Sequence, residues 1–180
     1  MFNLSEVKKK FHKVIKESQN IDCRSMLGNW NKQNFIPKQS TDLLFNKFVN
    51  KARKIIEINI ESDWGEENTG YYNSKDNIIY LLQRKNITAM FFTLLHEMAH
   101  YFACYYNPED YAWRSSPKKE CEAELIAALI FEHLNLEEFE TIHYYAIWYY
   151  YHAKENVEVN FQEVKIITDK LLKLFGKEEK

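Results

Sequence analysis

The sequence predicts an α+β domain: an N-terminal helical segment, a small β-sheet, one strongly apolar helix and a helical C-terminal part. Three observations carry this prediction. Apolar residues recur at helical spacing towards both ends of the chain, whereas Ile56, Ile58 and Ile60 alternate with polar residues as in a half-buried strand. The run Gly70-Tyr71-Tyr72, then Asn73-Ser74-Lys75-Asp76, then Asn77-Ile78-Ile79-Tyr80-Leu81-Leu82 reads as strand, turn, strand. Only four Gly and three Pro in 180 residues favour long regular elements over a loop-rich fold.

Taken in order, Leu4, Val7, Phe11 and Val14/Ile15 form the first helical stripe, with Asn3 or Ser5 as its cap. Residues 19–39 are irregular, broken by Gly28 and Pro37, with Trp30 and Phe35 expected to anchor them. A second helix starts at Ser40, Thr41 or Asp42 and buries Leu44, Phe48, Ala52 and Ile55. An acidic loop around Trp64 and Gly65 separates the first strand from the hairpin. Asn86 or Thr88 caps the following helix, which runs to about Tyr105. Another apolar helix enters after Pro117, a last one buries Val164, Ile167, Leu171 and Leu174, and residues 177–180 should fray. The expected organisation is a basic helical segment over 1–54, packed on or appended to a domain over 55–180.

Composition narrows the function classes. Apolar residues at 46% and aromatics at 16% are ample for a buried core. Lysines interrupt the first helix, so it does not resemble a signal peptide, and nothing approaches a membrane span of eighteen apolar residues. Cys23, Cys104 and Cys121 lack CxxC spacing and cannot all pair, which points to a reducing, cytoplasmic setting. Residues 1–54 carry 12 Lys/Arg against 4 Asp/Glu, and residues 55–140 carry 6 against 16. Such asymmetry suits a nucleic-acid-binding arm, two mutually attracting faces, or plain solvated lysines.

The chemistry lies in Thr93-Leu94-Leu95-His96-Glu97-Met98-Ala99-His100. Two His four positions apart, with Glu after the first, make the HExxH pattern of zinc peptidases. On a helix His96 and His100 share one face and can reach one ion, with Glu97 beside it. The helix is apolar nearly all round, so these three polar side chains need partners, and a metal ion provides them. A third ligand is required. The extension HExxHxxGxxH is absent, because Ala103 and Tyr106 stand where Gly and the third His would be. The following helix instead offers Glu120, Glu122 and Glu124. Glu120 and Glu124 lie one turn apart on one face, so Glu120 is the favoured ligand, with Glu124 orienting a ligating imidazole. Glu122 is the rival, and complementing the helix dipole is the structural alternative for all three. His143 and Tyr144 are candidate donors to a developing oxyanion, within an aromatic run that also suits a core.

These residues also carry a resemblance. The order HExxH, loop, then Glu-x-x-x-acid on the next helix resembles the gluzincin arrangement. Gly70-Tyr71-Tyr72-Asn73, Asp76-Asn77-Ile78-Ile79, the His96–His100 motif with its flanks, and Glu120-x-x-Ala123-Glu124-Leu125-x-Ala127-Ala128 resemble the metallopeptidase domain of ArdC-type antirestriction proteins. The helix Ile142-His143-Tyr144-Tyr145-Ala146-Ile147-Trp148 and the stretch from Phe161 to Leu174 are similar to that domain's ending. The likeness covers about residues 55–175, and the second motif is also compatible with the ImmA/IrrE group.

The resemblance implies a zincin-like fold, a hairpin beside the HExxH helix, and Zn²⁺ held by His96, His100 and Glu120. Zinc lowers the pKa of its bound water from about 15.7 towards 7, and Glu97 would take the proton during attack on a peptide bond. The strand beside the cleft would hold an extended protein or peptide substrate by strand addition. The family also implies single-stranded DNA binding, through an N-terminal domain larger than residues 1–54. Three functions therefore stand: a zinc metallopeptidase, an antirestriction-type single-stranded-DNA-binding protein with a structural zinc site, and an ImmA/IrrE-like peptidase cleaving a repressor.

Overall fold

The computed structural model describes residues 1–18, 41–63, 69–108, 116–136, 146–147, 149, 151–152 and 157–176. The expectations for Trp30, Phe35, Trp64, His143, Tyr144, Trp148 and residues 177–180 lie outside these. Among the described residues the order is α1 (Leu4–Ser18), α2 (Asp42–Ala52), β1 (Glu57–Glu61), β2 (Gly70–Asn73), β3 (Ile78–Leu82), α3 (Ile87–Tyr106), α4 (Pro117–His133) and α5 (Phe161–Phe175). These five helices and one three-stranded sheet of the described residues make an α+β fold.

Local chemistry sets most of the boundaries. At α1, Asn3 Oδ1 accepts from the Glu6 N–H at 2.9 Å while Glu6 reaches back to the Asn3 N–H at 2.7 Å, a reciprocal capping box. Asn86, rather than Thr88, caps α3 by accepting from the Ala89 N–H at 3.0 Å. The Thr88 hydroxyl bonds Thr41 instead, at 2.7 Å, and so ties the start of α2 to α3. Ser116 caps α4, with Pro117 in its first turn, and Asn160 caps α5. Asn77, expected inside a strand, has φ +57° and closes the turn instead, so β3 begins at Ile78. Within that turn Asn73 Oδ1 accepts from the N–H groups of Lys75 and Asp76.

The sheet order is β1-β3-β2, with β3 parallel to β1 and antiparallel to β2, so β2 is an edge strand. Ile58, Ile79 and Leu81 face the core, and α3 packs on β2 and β3. Across α3 lie α4 and α5, so α3 is enclosed between the sheet and two helices. An aromatic cluster joins these layers: Phe91 of α3 meets Phe45 and Phe48 of α2, Phe131 of α4 and Phe175 of α5, with ring centroids 5.7–6.1 Å apart. Fully burying one such ring contributes roughly 1.5–3 kcal/mol.

Leu174, expected buried on α5, is half-buried, because the buried stripe of that helix ends at Leu171. Two further expectations need correction. The buried stripe of α2 is Phe45, Phe48, Val49 and Ala52; Leu44 is half-buried, and Ile55 lies beyond the helix end and is exposed. The helix is rotated because Phe45 completes the aromatic cluster. Lys10, grouped by sequence with the solvated lysines, is 7% exposed, and its Nζ lies 2.7 Å from Glu132 of α4. Part of the positive charge in residues 1–54 thus holds α1 to the core. No helix among the described residues is long and apolar enough to cross a membrane.

Gly70 brings β2 close to α3. A Cβ at this position would stand 2.6 Å from Thr93 Cγ2. Thr93 has little freedom to yield, because its hydroxyl donates to the Ala89 carbonyl at 3.1 Å and accepts from Arg84 at 2.7 Å. Gly70→Ala is expected to cost about 1–3 kcal/mol through overpacking. Urea denaturation measures this, and an unshifted midpoint would contradict the close approach.

Candidate metal centre

The α3 helix buries most of its residues, including His96, Glu97 and His100, each under a tenth exposed. The four-residue spacing places the two imidazoles one above the other, with ring centroids 4.7 Å apart. Their Nε2 atoms face each other at 2.9 Å. Glu120 enters from the first turn of α4, its Oε2 3.1 Å from His96 Nε2 and its Oε1 3.5 Å from His100 Nε2. One turn further along α4, Glu124 Oε1 lies 3.2 Å from His96 Nδ1, a short contact too bent for a good hydrogen bond. Because Glu120 spans both histidines and Glu124 reaches back only to His96, α3 and α4 run in opposite directions.

Electrostatics follow from this convergence. Burial alone would lower the His96 pKa, but Glu120 and Glu124 outweigh it and hold the imidazolium well above the ordinary range. Burial would raise Glu120, yet His100 and His96 keep its carboxyl well below the usual carboxylate range. Glu97 is raised above an ordinary glutamate, chiefly by burial, and His96 and His100 offset part of that rise. The backbone N–H of Tyr72, on edge strand β2, favours the Glu97 carboxylate and offsets a further part of that rise. Sequence reasoning missed this link. Its signal was Gly70, which permits β2 to lie directly on the helix that carries Glu97.

The donor atoms fit a divalent cation. Two Nε2 atoms at 2.9 Å cannot both present protons to each other, and one must give up its proton or its lone pair. A cation at their meeting point serves both nitrogens and the Glu120 carboxylate at once. Among the described residues, His96, His100 and Glu120 form a group whose ligand atoms all lie within 4.8 Å of one another. Two imidazoles and a carboxylate suit zinc and neighbouring transition metals.

The other candidates are placed elsewhere. Glu122, the rival third ligand, is 4% exposed and accepts the Asn160 N–H at 2.7 Å, so it fastens α4 to the start of α5. Lys119 reinforces that junction through Glu163 at 3.4 Å. Cys121 is a buried thiol 3.7 Å from the Ile147 carbonyl, and burial pushes its pKa up to about 12. His143 and Tyr144 lie outside the described residues.

No family model matches this sequence, and no curated protein matches it. Among solved structures, the fold is similar to the crystal structure of the antirestriction ArdC protein from the R388 plasmid in its Mn(II)-bound form. That likeness has a TM-score of 0.54 at 17% identity and covers 80% of this chain. The chain spans 56% of the length of that neighbour. The described residues therefore have an ArdC-like α+β fold, and α3 and α4 together present a donor set suited to a divalent metal.

Proposed function

We propose that this chain is a zincin-type, zinc-dependent peptidase in which His96, His100 and Glu120 hold the metal. The observation that supports this best is the convergence of those three side chains with Glu97 buried alongside. A purely structural site has no need of Glu97, whereas hydrolysis needs a base. When bound, the divalent ion supplies Lewis-acid activation of water and of the scissile carbonyl. Glu97 accepts a proton from the attacking water and returns it to the leaving amine. The Tyr72 backbone N–H favours the Glu97 carboxylate, and Glu124 steadies the His96 ring. Edge strand β2 borders the site, where an extended peptide could lie alongside it.

A second reading is an antirestriction-type factor that binds single-stranded DNA, with the metal serving the fold. The structural likeness bears more directly on this reading than on peptidase chemistry, because the neighbour is described by its antirestriction role. Exposed Lys9, Lys13 and Lys16 on α1 supply the charge for it.

Native protein is expected to hold one zinc per chain by elemental analysis, and His100→Ala to lose it; equal zinc in both removes the site. Glu97→Gln should keep the metal and cut peptide hydrolysis by about 10²-fold or more. Undiminished hydrolysis in that variant refutes the base. Metal uptake must displace the proton that Glu120 and Glu124 hold on His96. Affinity should therefore rise with pH, up to about tenfold per unit while His96 is protonated in the apo form, and level off above its raised pKa. Competition with a chromophoric chelator at several pH values measures this, and a flat profile contradicts it. For the second reading, neutralising Lys9, Lys13 and Lys16 should weaken salt-dependent binding of a single-stranded oligonucleotide. Unchanged binding would reject that role for α1.

A further inference from the structure

Arg84 follows β3 and turns its side chain into the junction of β2 and α3. Its Nη2 donates to Thr93 Oγ1 at 2.7 Å, and its Nε is enclosed without an acceptor. Among the described residues no carboxylate pairs with it, and burial alone brings its pKa down to about 10. Partly buried arginines are ordinarily matched by an anion, and the fork of a guanidinium fits a carboxylate best. The backbone N–H of Arg84 is fixed on Met90 Sδ at 3.1 Å, so the residue is held in place before any ligand arrives.

Its position relative to Glu97 follows from the packing of β2. Gly70 lies against Thr93, and the Tyr72 ring meets that of Tyr101 further along α3, with centroids 5.9 Å apart. Strand and helix thus run side by side in the same direction, with Arg84 at the Thr93 end. Thr93 is one turn before Glu97, about 5–6 Å along the helix, and two strand residues span about 6.6 Å. An extended peptide whose reacting bond lies at Glu97 therefore brings a side chain or terminus one or two residues away within reach of Arg84.

We infer that Arg84 is a specificity-determining residue that binds a carboxylate of the substrate, either an acidic side chain or a free C-terminus, one or two residues from the reacting bond. This rests on the peptidase reading for what occupies the cleft. The test uses full-length, zinc-loaded Glu97→Gln protein and an equimolar pool of synthetic hexapeptides. These differ by Glu or Gln at each position and carry a free or amidated C-terminus. Retention is quantified by mass spectrometry.

Carboxylate-bearing peptides should be retained about tenfold better than their amide counterparts, as expected for charge-assisted hydrogen bonds. Adding Arg84→Gln should abolish the preference, and adding Arg84→Lys should reduce it severalfold while keeping the charge. A preference unaltered in both double variants, or no preference in the parent, overturns the inference. If Arg84→Gln fails to fold, Arg84→Lys decides alone. Cleavage of the same pool by the protein with Glu97 intact separates the two ideas. An Arg84-dependent preference without cleavage supports the carboxylate site and refutes the peptidase reading, whereas cleavage without that preference refutes only the carboxylate site.

Discussion

The constraint on which the structure depends is the burial of three ionisable side chains in a helix that is apolar on every side. His96, Glu97 and His100 are each less than a tenth exposed, among Leu94, Leu95, Met98 and Phe102. Isolated charges or unsatisfied donors there would cost several kcal/mol each. The fold answers by bringing carboxylates from α4 and a backbone N–H from β2 onto the same spot. The arrangement of the sheet, α3 and α4 is thereby tied to polar satisfaction at one point.

That requirement explains the register of the neighbouring elements. The first turn of α4 must sit where Glu120 spans both imidazoles, and this position is held by Glu122 on the Asn160 N–H and by Lys119 on Glu163. Three consecutive acidic positions thus have separate tasks: Glu120 at the imidazoles, Glu122 at the α5 cap, and Glu124 behind His96. On the other side, Gly70 lets β2 approach closely enough for the Tyr72 N–H to favour the Glu97 carboxylate. Thr93, between Gly70 and Arg84, links that strand to a guanidinium with no carboxylate partner among the described residues.

Much of this was legible in the sequence where local rules dominate. The HExxH spacing, the Asn86 cap, the β2–β3 hairpin and the α5 stripe as far as Leu171 all follow from periodicity and capping chemistry. The one-turn offset of Glu120 and Glu124 anticipates their common face towards α3. What was not legible depends on tertiary contacts. The stripe of α2 turned towards Phe45 because Phe91 and Phe131 complete a ring cluster that no window of local sequence contains. Lys10 reads as one of a run of lysines until Glu132, more than a hundred residues later, is placed beside it. The parallel pairing of β1 with β3, and hence the edge position of β2, arises from a crossover that strand patterning does not encode. Asn77 left the strand for the left-handed region because the turn required it.

The central claim is that His96, His100 and Glu120 hold one divalent cation beside Glu97. Anomalous diffraction from crystals of the zinc-loaded protein, collected on both sides of the metal edge, tests it most directly. The expected result is a single peak about 2 Å from Nε2 of both histidines and from a Glu120 oxygen, with Glu97 and Glu124 outside the ligand set. A peak ligated by Glu122 or Glu124 in place of Glu120, or no peak between the two histidines, would contradict it.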